Sequence, residues 1–394
     1  MRILTVHNHY QQLGGEDTIF ATESDLLESY GHQVRRYTIH NDQVKEMGSL
    51  ALTKATLWNS KIYQDLRTLI RQEKPQVAHF HNTFPLISPA AYHAAQAEGV
   101  PVVQTLHNFR LLCSNGLFFR DGQICEDCLG KRVAWSGVIH GCYRDSRIAS
   151  GAVTAMVNFH SLLGTWTNAV DVFIAYSHFA LDKFIQGGLP KEKIEFKTNF
   201  LYPAPELGKG SGAYAMFAGR LSPEKGTGTL LEAWKQLGGK IPLKIVGDGP
   251  LGFQVAQMAQ QMPGVEWLGR KPLSEVYEMM GEASFLVIAS EWYETFGRVG
   301  IEALAKGTPL IVSDIGALAE LVEPNYNGLR FRPGNSADLA AKVEWVLNHP
   351  EELSKMRHSA RASFEAKYTA PDNYQRLMEI YELARSRQQV TSHK

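Results

Sequence analysis

Glu294 and Glu302 flank Thr295-Phe296-Gly297-Arg298-Val299-Gly300-Ile301, a carboxylate pair in E-x7-E spacing. The apolar run Phe285–Ala289 precedes the pair and Ala303-Leu304-Ala305-Lys306-Gly307-Thr308-Pro309 follows it. That order predicts a buried strand, a tight loop at its carboxyl end, and a helix beginning near Gly297. Open parallel sheets bind ligands outside the carboxyl ends of their strands. The first turn of such a helix offers unpaired backbone N–H groups to an anion. A glutamate beside an anion hole repels the anion, so its chemistry is to accept hydrogen bonds from hydroxyls. A ligand carrying both phosphate and hydroxyls is a nucleotide sugar. The spacing is weak evidence alone, because 40 acidic residues generate it by chance. The surrounding motifs decide.

In Ala218-Gly219-Arg220-Leu221-Ser222-Pro223-Glu224-Lys225-Gly226, a strand end delivers Arg220, and Lys225 falls just before a helix. Arg holds phosphate oxygens bidentately and Lys adds a compact charge. The pair can neutralise a diphosphate without a metal, and no Asp-x-Asp pair occurs in the chain to bind one. Taken alone, these residues are better explained as a surface basic pair beside a turn. Leu13-Gly14-Gly15-Glu16 follows the first apolar run, and paired glycines let backbone approach a ligand closely. His81-Asn82 and His107-Asn108 end two further apolar runs, and His7 and His9 end the first. A lone histidine is most often structural, but two His-Asn pairs at strand ends of one sheet read as the wall of a cleft.

These residues need a scaffold of alternating elements. Arg2–Val6, Gln33–Ile39, Gln76–Phe80, Val100–Leu106 and Asp171–Ala175 read as short strands, with helices at Asp17–Tyr30 and Pro89–Glu98. The pattern restarts after the Pro/Gly-rich stretch from Pro203, with strands at Tyr214–Ala218, Leu243–Val246, Val265–Leu268, Phe285–Ala289 and Pro309–Val312. Alternation of this kind builds βαβ units and parallel sheets. The expected fold is α/β, with two doubly wound parallel-sheet domains facing across a cleft. The length of 394 residues fits that division. Forty basic against 40 acidic residues argue against nucleic acid as a partner. No apolar run approaches the ~20 residues of a spanning helix, and the amino terminus lacks signal-peptide form. The expected location is cytoplasmic.

Gly219-Arg220-x4-Lys225-Gly226, Val246-Gly247-Asp248-Gly249-Pro250, Glu294-x-Phe296-Gly297-x4-Glu302-Ala303 and Asn327-Gly328-Leu329 together resemble the retaining nucleotide-sugar glycosyltransferases of family 4, which have the GT-B fold. The resemblance extends over almost the whole chain and is strongest from Ala218 to Phe331. It implies an acceptor-binding Rossmann-like domain over residues 1–200, carrying a cysteine-rich insert at about 111–147. It further implies a nucleotide-sugar domain over 201–370 and a helix from 371 to 394 that crosses back to the first domain. By the same resemblance Arg220 and Lys225 bind the donor diphosphate, and Gly14 and Gly15 close over the phosphates. Glu302 accepts from the ribose, Glu294 meets the sugar hydroxyls beside Thr295, Phe296 and Gly297, and His107 lies near the reacting bond. The implied reaction moves a sugar, with retention, from a nucleotide-sugar donor, UDP-linked by family habit, to a glycan or lipid-linked acceptor in polysaccharide or glycolipid assembly. Catalysis then requires no cofactor. Gly316-Ala317 departs from the paired glycines that many members carry. An epimerase or hydrolase of the same fold, or an inactive nucleotide-sugar-binding scaffold, is the alternative.

All four cysteines, Cys113, Cys125, Cys128 and Cys142, fall within one segment in C-x11-C-x2-C-x13-C spacing. In a reducing compartment this makes them candidates for a closed structural Zn2+ site, with four unlinked thiols as the alternative. Aromatic and basic residues from Lys131 to Trp166 suggest peripheral contact with the cytoplasmic face of a membrane. A core helix over Ile148–Leu163, packed under the sheet, is the favoured reading of that stretch, because no basic cluster of the usual 4–8 residues accompanies it.

Overall fold

The computed structural model describes residues 1–11 and 14–392. Leu13 of the glycine loop therefore lies outside the described residues. The chain forms two compact units. The first holds Met1–Leu117, Glu126–Thr198 and the chain from Pro371 onward; the second holds Phe118–Cys125 and Asn199–Ala370.

Four strands open the chain: β1 (Arg2–His9), β2 (Gln33–His40), β3 (Val77–Asn82) and β4 (Val102–Thr105). A two-residue hairpin, β5 (Phe119–Arg120) and β6 (Gln123–Ile124), belongs to the second unit, where Phe118 meets Tyr293 edge-on. β7 (Val172–Ala175) and β8 (Ile194–Phe196) complete the first sheet. Its order is β2-β1-β3-β4-β7-β8, with every pair parallel. The direction of winding reverses between β1 and β3, so ligand chemistry in this unit is expected at the carboxyl ends of those strands. β3, β4 and β7 are buried on both faces, as expected where helices cover both sides of a parallel sheet. The helix Ala370–Ser392 supplies part of that cover. Its Leu377, Ile380, Tyr381 and Ala384 are buried against Ile3, Leu27, Val77, Val103, Val172 and Ile174. Each such aliphatic side chain removed from water contributes about 1.5–3 kcal/mol.

The second sheet comprises β9 (Ala215–Ala218), β10 (Leu243–Val246), β11 (Val265–Trp267), β12 (Phe285–Ile288), β13 (Leu310–Ser313) and β14 (Gly328–Phe331). It is parallel throughout in the order β11-β10-β9-β12-β13-β14. The winding reverses between β9 and β12, the strands that feed the Arg220–Lys225 and Glu294–Glu302 loops. Trp234, Phe285 and Phe331 are among the largest side chains in the core beneath.

The expected core helix near Ile148 spans Arg147–Leu162, and only one face of it is buried, through Ser150, Val153, Thr154, Met156 and His160. The expected helix is therefore present, but with Ile148 79% and Leu162 77% exposed it packs by one face and is not a core helix. The apolar residues outnumber the places that one buried stripe can hold.

Candidate active site

Lys225 and Glu294 converge because the two loops that carry them are tied by backbone. After β9, a 3-10 turn at Pro223–Lys225 ends at Gly226, which has φ +66° and caps the helix Thr227–Leu237. A Cβ at Gly226 would lie 1.8 Å from the Ala289 carbonyl oxygen, so only glycine lets this turn rest against the end of β12. Glu291 N–H donates to the Glu224 carbonyl at 2.9 Å, joining the two loops. Lys225 thereby reaches Glu294: Nζ donates to Oε1 at 2.7 Å, and Ser290 Oγ donates to the same oxygen at 2.5 Å. Lys225 Nζ also lies 5.3 Å from the centre of the Trp292 ring.

Glu294 is buried, which opposes its charge. The Lys225 ammonium and the hydrogen bonds from Lys225 and Ser290 outweigh burial and hold the carboxyl below the usual glutamate range. The site thus keeps a ready-made anion inside the protein. Gly297, at φ +89°, then starts the helix Arg298–Ala305, and a Cβ there would meet Leu318 at 2.5 Å. Thr295 and Phe296 link Glu294 to that start, with Phe296 buried.

Glu302 sits one turn into this helix, apart from the Lys225 pair, and takes a different cation. Arg298 Nε donates to its Oε1 at 3.0 Å. Burial raises the Glu302 carboxyl above its ordinary range despite that guanidinium, and burial together with Glu302 pushes Tyr277 up to about 12. Arg298 Nη1 is buried with no hydrogen-bond partner. Sequence reasoning missed Ser290, Arg298 and Tyr277. Only Arg298 carried a visible signal, its i, i+4 spacing to Glu302. Arg220 is exposed and, among the described residues, forms no ion pair, so its guanidinium is available to an anion.

In the first unit, Gly14 caps the helix Gly15–Ser29 with an extended backbone, and its N–H donates to Asp17 Oδ2 at 2.8 Å. Gly15 is exposed at the first helical position. Asp17 Oδ1 lies 2.9 Å from His7 Nε2 and 3.0 Å from His9 Nδ1. Burial opposes the Asp17 charge, but the bonds from His7, Gly14 and His9 lower its carboxyl to about 2. His107 follows β4, and its Nε2 lies 3.1 Å from His81 Nδ1 at the end of β3. Burial keeps His107 well below its ordinary range, with His81 and His7 adding to the effect, so it is neutral. Asn108 Nδ2 donates to Glu16 Oε1 at 2.8 Å, linking this loop to the glycine loop.

None of the four cysteines is in a disulfide. Cys113 and Cys128 are buried and line one pocket with Ser114, Val153 and Thr154. Cys113 Sγ donates to Asn115 Oδ1 at 3.0 Å. Cys142 belongs to the same unit, and Cys125 to the other.

Comparison with known proteins agrees with the two-sheet fold. A family model described as Glycosyltransferase Family 4 matches residues 2–200, and one described as Glycosyl transferases group 1 matches residues 204–363. An uncharacterised glycosyltransferase of Methanocaldococcus jannaschii is 32% identical over 176 residues, 44% of this chain, and the chain spans about half (49%) of that relative's length. Glycogen synthase of Mycobacterium tuberculosis is 32% identical over 362 residues, covering 86% of this chain and 76% of that protein. Among solved structures, Anabaena HepE in complex with UDP gives a TM-score of 0.69 at 19% identity, over 96% of this chain and 99% of the other. Sucrose-phosphate synthase of Thermosynechococcus elongatus gives 0.70 at 15% identity over 100% of both chains. These two likenesses concern the fold, the two-sheet GT-B architecture. With one family model matching half of its length and a 32%-identical relative matched over most of both chains, the protein belongs to Glycosyltransferase Family 4 and is a glycosyltransferase.

Proposed function

We propose that this glycosyltransferase moves a sugar, with retention at the anomeric carbon, from a UDP-sugar to a hydroxyl of a glycan or lipid-linked acceptor in polysaccharide or glycolipid assembly. The observation that carries the reading is the set Arg220, Lys225 and Glu294 on the loops after β9 and β12, with Glu302 in the helix that follows, where the winding of the second sheet reverses. Anabaena HepE, of the same fold, has been captured with UDP and with UDP-glucose. In this reading Arg220 and Lys225 take the diphosphate, Glu302 the ribose, and Glu294 the hydroxyls of the sugar. Gly14 and Gly15 approach the phosphates, and His107 accepts from a sugar hydroxyl. The bond from C1 to the phosphate oxygen breaks, the acceptor oxygen bonds to C1 from the same face, and its proton passes to the departing phosphate oxygen. Cationic stabilisation of that leaving diphosphate is the largest single contribution expected of the protein.

Two accessory roles belong to the same proposal. Cys113, Cys125, Cys128 and Cys142 hold a structural Zn2+, supported by their C-x11-C-x2-C-x13-C spacing within one segment. Exposed Trp135, Ile139, Ile148 and Leu162, beside exposed Lys131, Arg132, Arg144 and Arg147, rest on an anionic lipid surface that presents the acceptor. No described helix is long and apolar enough to cross a membrane.

Thermal unfolding with UDP, GDP and ADP tests the donor assignment. A ligand at a hundred times its Kd stabilises by about 2.7 kcal/mol. Stabilisation by UDP, lost in Arg220→Ala/Lys225→Ala, is the expected result. Stabilisation by no nucleotide overturns the reading. Rapid release of free sugar from a UDP-sugar without acceptor points instead to a hydrolase of the same fold.

A further inference from the structure

The first unit buries more titratable groups than its fold needs. Glu23 and Lys197 are each 1% exposed, and Lys197 Nζ donates to Glu23 Oε2 at 2.8 Å and to Asn373 Oδ1 at 2.9 Å. The other carboxylate oxygen, Oε1, lies 3.2 Å from His79 Nδ1 and 3.3 Å from His81 Nε2. His79 is otherwise satisfied, by Tyr381 Oη at 2.9 Å and Thr105 Oγ1 at 2.8 Å. His81 Nε2 and Glu23 Oε1 have no well-aligned hydrogen-bond partner, and they face each other at 3.3 Å. His81 Nδ1 in turn lies 3.1 Å from His107 Nε2. A continuous line of polar atoms therefore runs from the Ala370–Ser392 helix through the core to His107 at the end of β4.

The proton positions along this line follow from donor and acceptor inventories. Burial opposes the Glu23 charge, but the Lys197 ammonium and His79 hold it well below the glutamate range, so it is a carboxylate and can only accept. At 3.3 Å the carboxylate attracts a hydrogen on His81 Nε2 and repels a lone pair there, which favours the hydrogen on Nε2. His81 Nδ1 is left with a lone pair, which accepts from His107. The His107 hydrogen must sit on Nε2, and Nδ1 becomes the accepting nitrogen. A ring of the opposite tautomer would set two lone pairs against each other at 3.1 Å.

We propose that Glu23 is a positioning residue of the transfer reaction: through His81 it fixes His107 as the Nε2–H tautomer, which presents Nδ1 as a hydrogen-bond acceptor to a donor-sugar hydroxyl. This rests on the role given to His107 in the proposed function, and it extends that role to residues with no contact to substrate. Lys197 supplies the charge that lets a carboxylate persist in the core. A core needing only packing would carry apolar residues at these positions, since a buried ion pair seldom adds stability over them.

The test reads the tautomer directly, in the resting protein without donor or acceptor. Nitrogen-15 labelling of histidine distinguishes protonated from bare ring nitrogens, and the His107 signals are identified by their loss in His107→Asn. The expected wild-type result is a neutral His107 protonated at Nε2. Glu23→Gln with Lys197→Met keeps the core neutral but replaces the acceptor by an amide that can donate, and it should mix or reverse the His107 tautomer. Its kcat should fall by about tenfold or more with donor KM little changed, as a misoriented histidine lowers turnover rather than binding. His81→Asn breaks the line without touching the Glu23–Lys197 pair and serves if the double variant does not fold. A wild-type His107 protonated at Nδ1 overturns the proposal, as does an unchanged tautomer, or an unchanged kcat, in a folded variant. Failure of the functional reading shows elsewhere, as absence of UDP binding or of transfer by the wild type.

Discussion

Lys225 Nζ and Glu294 Oε1 are 2.7 Å apart, and they join the two loops that the second sheet sends out at its reversal of winding. The contact satisfies a buried carboxylate before any ligand arrives. Under the proposed donor reading, a diphosphate that drew Lys225 away would release Glu294 to accept from hydroxyls, and recognition of phosphate and of sugar would be coupled through one oxygen atom.

Lys225→Ala should therefore harm the free protein as well as donor binding. It strands Glu294, 6% exposed, without its cation, at a cost of about 1–3 kcal/mol in urea unfolding at neutral pH. Because the folded carboxyl lies below its unfolded value, the wild-type contribution is present above the ordinary glutamate range and disappears as pH falls through the folded pKa. The variant and the wild type should thus converge in stability in acid. A gap that stays constant down to acid pH would show that Lys225 acts by packing. Donor affinity should fall ten- to a hundredfold, as loss of a charged hydrogen bond of about 1.5–3 kcal/mol implies.

Arg298 and Glu302 make the complementary case. Burial already raises the Glu302 carboxyl, and Arg298 is the main influence holding it down. Arg298→Ala should raise it further, so that a protonated acid replaces a double acceptor as pH falls toward the mildly acidic range. Calorimetric titration of UDP at several pH values checks this. Wild-type affinity should decline gently on acidification and that of the variant steeply; parallel curves would remove Arg298 from nucleoside recognition.

Much of this arrangement was legible in the chain, for particular reasons. Phe285–Ile288 and Leu310–Ser313 announce themselves because strands buried on both faces are continuously apolar. The turn glycines Gly226 and Gly297 were readable because positive φ leaves few other residues a place. β8 and β14 were not seen: three and four residues long at the sheet edges, one containing Glu195 and the other Gly328 and Arg330, they lack the pattern. Ser290 and Tyr277 could not be read either, since a serine in a loop and a tyrosine on a neighbouring helix reach the glutamates only through tertiary structure. Glu23 looked like an ordinary polar position of the Gly15–Ser29 helix. Its partner Lys197 lies 174 residues away, a separation at which sequence carries no periodic signal.

The surface around the Arg147–Leu162 helix yields a third expectation. Sedimentation with vesicles containing anionic lipid should retain the protein, and 1 M salt should release part of it, since screening shortens the reach of Arg132, Arg144 and Arg147. Ile148→Ser/Leu162→Ser should weaken retention with little effect on stability, both side chains being more than 75% exposed. Retention equal for neutral and anionic vesicles would assign no role to the arginines, and no retention at all removes the membrane from the proposal.

The cysteines lend themselves to a test of metal content. Four thiolates around Zn2+ contribute folding energy outright, because the preformed site does not exist in the unfolded chain. Purified protein should carry about one zinc per chain, the stoichiometry of one tetrahedral four-thiolate site. A strong chelator should lower the unfolding temperature, and zinc should restore it. Cys128→Ser is the informative variant: Cys128 is buried beside Ser114 and the helix Trp135–Ile139, where a Cβ added at Gly137 would approach its sulfur to 3.6 Å. If the thiols merely pack, serine in this tight spot costs modest stability and leaves metal content at zero in variant and wild type alike. If they hold zinc, the variant loses the metal together with the chelator response, while UDP binding by the second unit persists.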